Sequence, residues 1–207
     1  MAREFADDDW HRCFIALVPD RATRDALAAL PVGQAARRVG VDQLHMTLAF
    51  LGSVPPEKGQ RLAERLGEIV APLPPPCAQR AEYWPSAAHP RLVVVPFVAS
   101  PALAGLEARV RAFVTGLQLP VDDHRPFRPH ITLARFARSA RTVNSTHSHR
   151  QEPSASMGRE RLLDAPSLEA AMLDATPRFE SLTLYSSTLA RHGARYRALA
   201  SAPVPLA

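Results

Sequence analysis

Leu44-His45-Met46-Thr47-Leu48-Ala49-Phe50 and Pro129-His130-Ile131-Thr132-Leu133-Ala134-Arg135-Phe136 decide how this chain of 207 residues is read. Both contain His-x-Thr-Leu-Ala, 85 residues apart, and each lies in a short apolar run with strand character. Repetition at that distance points to two similar lobes, each contributing an equivalent strand. In a strand, side chains alternate between faces. His45 and Thr47 therefore point one way, while Met46 and Leu48 point into a core. His130 and Thr132 stand in the same relation to Ile131 and Leu133.

The elements around the repeat alternate between strand and helix. Cys13–Val18 is an apolar run closed by Pro19-Asp20 and reads as a buried strand. A helix follows over 20–30, with Asp20 as N-cap and Pro31 as its stop. The first motif strand, 44–51, ends at Gly52, and Pro55-Pro56 opens a helix expected to reach Val70. Residues 78–84 and 91–97 form a hairpin around the turn at 85–90. Pro101 starts a helix with Leu103, Leu106, Val110 and Val114 on one face. The second motif strand covers 129–136, and a last strand pair, 179–189 and 194–200, flanks His192-Gly193. Residues 139–157 are rich in Ser, Thr, His and Arg and read as a surface loop, with a short helix expected at 158–174. The fold class is α+β: two pseudo-symmetric lobes of antiparallel sheet, helices outside, a cleft between them, forming one domain over 1–207.

Composition bounds the function. Apolar residues make up 46% and charged residues 22%, a globular balance. No run approaches the ~20 apolar residues of a membrane helix. The acidic start carries no apolar stretch before a cleavage site, so secretion is not expected. Cys13 and Cys77 make no disulfide framework and no metal spacing, and the expected compartment is the cytoplasm. The net charge of +5 suits an anionic ligand, and nearly all of it is arginine, Lys58 being the one lysine. That arginine bias reads as composition rather than as a designed site. No glycine-rich phosphate loop follows any strand.

If the two lobes face each other, two imidazoles and two hydroxyls converge on one cleft. A neutral histidine can take a proton from attacking water while a protonated one gives a proton to the departing oxygen. Threonine hydroxyls can donate to non-bridging phosphoryl oxygens. This chemistry needs no metal or other cofactor. A metal site built on His45 and His130 would lack the usual carboxylate or cysteine partners. The tract His147-Ser148-His149 is read as solvated rather than as a metal site.

The paired motifs His45-Met46-Thr47-Leu48 and His130-Ile131-Thr132-Leu133 resemble those of the 2H phosphoesterase superfamily, and within it the bacterial RNA 2′,3′-cyclic phosphodiesterases, also called tRNA 2′-5′ ligases. The stretches 12–17, 44–52, 128–135 and 182–187, with Gly193 and Tyr196, carry the likeness over about residues 10–136 and 178–205. The resemblance implies hydrolysis of a terminal 2′,3′-cyclic phosphate on RNA to a 2′-phosphomonoester. It implies that His45 is the proton donor, His130 the proton acceptor, and Thr47 and Thr132 the phosphate holders. Arg135 matches an arginine five residues after the second histidine, although simple alternation puts it on the face opposite His130. Its counterpart in the first motif is Phe50. The expected partner is an RNA end or a cyclic nucleotide, the expected state a monomer without membrane association. The rival readings are 2′-5′ ligation, cleavage of other cyclic nucleotides or 2′-5′ oligonucleotides, and a non-catalytic module that binds RNA ends.

Overall fold

The computed structural model describes residues 10–32, 36–121, 126–137, 176–190, 193–205 and 207. The expected helix at 158–174 and all but Ala137 of the tract at 137–157 lie outside them. In chain order the elements are β1 (Cys13–Pro19), α1 (Arg21–Ala29), β2 (Ala36–Arg38), β3 (Met46–Gly52), α2 (Pro56–Glu64), β4 (Glu82–Trp84), β5 (Leu92–Pro96), α3 (Pro101–Gly116), β6 (His130–Phe136), β7 (Phe179–Ala190) and β8 (Gly193–Pro203).

Local chemistry sets the helix ends. The Asp20 carboxylate accepts from the Thr23 N–H at 2.8 Å and starts α1. Ser100 accepts from the Leu103 N–H ahead of α3, with Pro101 in the first turn. The helix expected to run to Val70 does not. It ends at Glu64, Arg65 leaves helical geometry, and Leu66–Ile69 continue as a 3-10 turn. Leu66 and Ile69 stay buried, so the tighter turn keeps the apolar face on the core while changing the path.

The strands form one antiparallel sheet in the order β4-β5-β6-β3-β1-β7-β8, with β2 also paired to β6. The two expected lobes are its halves. They meet where β3 and β6 share one register pair, Met46 opposite Ile131. Leu27, Leu62, Leu103, Leu106, Val110 and Val114 from the helices join Ile15, Leu17, Met46, Leu48, Ile131 and Leu133 in one core. Strand β1 is buried on both faces: Cys13, Ile15 and Leu17 belong to that core, whereas Phe14 looks to the opposite side.

Both motif strands carry the same irregularity. Between β1 and β3 the register moves from Ile15–Ala49 to Ala16–Thr47, leaving Leu48 as an extra residue. Between β5 and β6 it moves from Val93–Ala134 to Val94–Thr132, leaving Leu133 extra. Each is a β-bulge, which resets alternation by one residue. Leu48 and Ala49 are consequently both buried, as are Leu133 and Ala134.

Candidate active site

The Met46–Ile131 pair sets the centre of the site. Both side chains are fully buried, so their neighbours point to the other face. Continuing this antiparallel register by one step places Thr47 beside His130 and Thr132 beside His45. The four side chains line one cavity of about 710 Å³, and Arg135 lines it with them. All five expected residues are thus brought together.

The expectation that Arg135 lies opposite His130 is corrected by the bulge at Leu133. Strict alternation would turn position 135 away, and the extra residue turns it back. The matching bulge at Leu48 does the same for Phe50, which is 59% exposed and lines the same cavity.

The two imidazoles are held identically. His45 Nδ1–H donates to the Gln43 carbonyl at 2.7 Å, and His130 Nδ1–H donates to the Arg128 carbonyl at 2.8 Å. A carbonyl can only accept, so each ring carries its proton on Nδ1 and leaves Nε2 for chemistry. The surroundings differ. His45 packs against Phe14 and Tyr196, ring centroids 5.0 Å away in both cases, and Phe14 stacks on Tyr185. His130 lies 4.5 Å from the Trp84 ring, over which the Arg128 guanidinium sits at 4.1 Å.

Desolvation pushes the His45 pKa down to about 4; the Gln43 carbonyl opposes this, while Arg135 and His130 add to it. His130 is lowered too, by burial first and then by Arg128 and Arg135, against the pull of its carbonyl partner. Both shifts favour the neutral imidazoles at pH 7. None of the described residues lining it is acidic. Its net character is cationic, with Arg12 and Arg135 on the wall, and an entering anion raises both imidazole pKa values. Among the described residues, no group of three His, Cys, Asp or Glu is placed to hold a metal ion. No helix among them is long and apolar enough to cross a membrane.

Arg12, Phe14 and Trp84 were not legible as site residues. Arg12 and Phe14 arrive from the residue just before β1 and from β1 itself, distant in sequence from both motifs, and Trp84 from a hairpin paired to β6. Arg128, adjacent to the second motif, lies beside the site.

A family model described as the 2'-5' RNA ligase superfamily matches residues 21–162, well over half of the chain, and the chain belongs to that family of 2H phosphoesterases. Over 114 residues it is 36% identical to the RNA 2',3'-cyclic phosphodiesterase of Escherichia coli K12. That match spans 53% of this chain and 61% of the relative's length. The crystal structure of E. coli LigT in apo form superposes with a TM-score of 0.61 and 26% identity, covering 95% of this chain and 98% of that one. LigT complexed with 3'-AMP gives 0.59 and 26%, with 94% and 98% covered.

Proposed function

We propose that this phosphoesterase hydrolyses the terminal 2′,3′-cyclic phosphate of RNA to a 2′-phosphomonoester by acid–base catalysis between His45 and His130. The observation that carries the reading is the matched pair of imidazoles, each with Nδ1 tied to a carbonyl and Nε2 left for chemistry in a cavity with no acidic side chain among its described lining residues. His130 Nε2 takes a proton from water as the oxygen attacks phosphorus. The P–O3′ bond breaks, and His45 Nε2 gives its proton to the departing O3′. Thr47 and Thr132 hydroxyls donate to the non-bridging oxygens as charge builds on them, and Arg135 neutralises it.

The division of roles follows the family resemblance. Burial is the largest cause lowering both imidazole pKa values, His45 to about 4, and a bound phosphate opposes it at both rings, so the acid takes up its proton together with the substrate. That a related structure is complexed with 3'-AMP supports a nucleotide as occupant.

The test is hydrolysis of a nucleoside 2′,3′-cyclic phosphate with chelator present. A 2′-phosphomonoester is the expected product. His45→Ala and His130→Ala are each expected to lose about 10²–10⁴ in turnover. Full activity in either variant defeats the assignment, and tight RNA-end binding without turnover would mark a binding module instead. One observation favours ligation as a second activity: a cavity of about 670 Å³, lined by Trp84, Arg91 and Arg128, adjoins the site at His130. A 5′-hydroxyl entering from there would replace water as the attacking group, and joined RNA ends would be the product.

A further inference from the structure

A third cavity, of about 300 Å³, adjoins the catalytic one and shares Arg135, Ala194 and Tyr196 with it. Its wall holds three arginines, Arg37, Arg38 and Arg135, and none of its described lining residues is acidic. Arg38 is committed elsewhere. Its guanidinium donates to the carbonyls of Ala28 and Leu30, fastening β2 to the end of α1. Arg37 and Arg135 are different. They face each other directly across the β2–β6 ladder, on one side of the sheet, and both are exposed.

Like charges placed directly opposite on neighbouring strands repel and cost stability. Such a pair, opening into a hollow whose described lining residues include no acid, is a ready counter-charge for an anion, and guanidinium groups match a phosphodiester in shape and hydrogen bonding. The hollow lies on the His45 side. It includes Gln43, whose carbonyl holds His45, and Tyr196, whose ring packs against it. Under the reading proposed above, on which this step rests, His45 serves the oxygen leaving the terminal ribose. The terminal nucleoside therefore lies on this side of the phosphorus, and the chain upstream of it continues toward Arg37.

We infer that Arg37, together with Arg135, forms a second phosphate subsite that takes the phosphodiester one nucleotide upstream of the reacting cyclic phosphate. Arg135 bridges the two sites because it lines both cavities. Arg37 lines only the outer one and makes the enzyme prefer an RNA end over a cyclic mononucleotide.

The experiment compares kcat/KM for a nucleoside 2′,3′-cyclic phosphate and for a short oligoribonucleotide ending in one, using the full chain and Arg37→Gln. The variant is expected to lose about tenfold on the oligonucleotide, through KM, and to stay within twofold on the mononucleotide. The slope of log kcat/KM against log salt for the oligonucleotide should become shallower by about 0.7. Arg37→Glu should deepen the oligonucleotide loss, and Arg37→Gln should melt no lower than the parent because it removes a repulsion. Equal effects on both substrates, or none on either, overturn the subsite while leaving the proposed hydrolysis intact. Absence of turnover by the parent chain on both substrates overturns the hydrolysis and the subsite with it.

Discussion

Phe50 and Arg135 occupy equivalent positions in the two motif strands, each two residues past a bulged leucine, and both line the cavity that holds His45 and His130. The cavity is therefore symmetric in its proton-carrying rings and asymmetric in what stands behind them, an apolar ring on one side and a cation on the other. That asymmetry gives two equivalently held imidazoles different surroundings.

Arg135 lowers the pKa of both histidines. Replacing it by glutamine removes a charge that disfavours each imidazolium, so both limbs of the kcat/KM profile should move to higher pH. The parent profile should peak below pH 6.5, because both free-enzyme values lie below the ordinary one. The profile of kcat should peak higher, since bound phosphate raises them. A pH–rate series on parent and Arg135→Gln checks both shifts.

Thr47→Val and Thr132→Val keep the shape of each side chain and delete the donor. Each is expected to lose about 10²-fold in kcat with KM little changed, because the hydroxyl acts on charge that appears in the transition state. Unchanged kcat in both would show that other groups hold the phosphoryl oxygens.

His45 also leaves a signature in stability. Its folded pKa of about 4 lies below the unfolded value of 6.5. The unfolded chain thus binds the proton first as pH falls. Stability contributed by the neutral ring is present above pH 6.5 and is lost between 6.5 and about 4, a change of up to about 3 kcal/mol. Chemical denaturation of parent and His45→Asn across this window should show a smaller decline in the variant.

Gly59 offers a structural check. A Cβ at this helical position would collide with the Trp10 ring at Cε3, and Trp10 is only 2% exposed. Gly59→Ala normally favours a helix by ~1 kcal/mol. Here it should instead destabilise by about 1–3 kcal/mol, read as a lower melting temperature and altered tryptophan emission.

The core strands and the motif faces were legible because period-two alternation and turn residues are local signals. Cys13–Pro19, the helices after Asp20 and Ser100, and the last strand pair fall where expected. Strand β2 was not legible. Ala36-Arg37-Arg38 is three residues long with no apolar alternation, and exists because β6 offers it a partner. The place of Arg135 was hidden by the bulge, which shows only as an offset between strands distant in sequence. The aromatic surroundings of His45 likewise depend on β1, β7 and β8 lying side by side, a relationship fixed by pairing rather than by any local pattern.

The two halves of the sheet are stitched together through Met46 and Ile131. This seam works like the pivot of a calliper whose jaws are the two rings. Trimming Met46 or Ile131 by one methylene is expected to reset the jaw gap without touching anything that enters it, and under the proposed reaction turnover would then be tuned by residues that never meet the substrate.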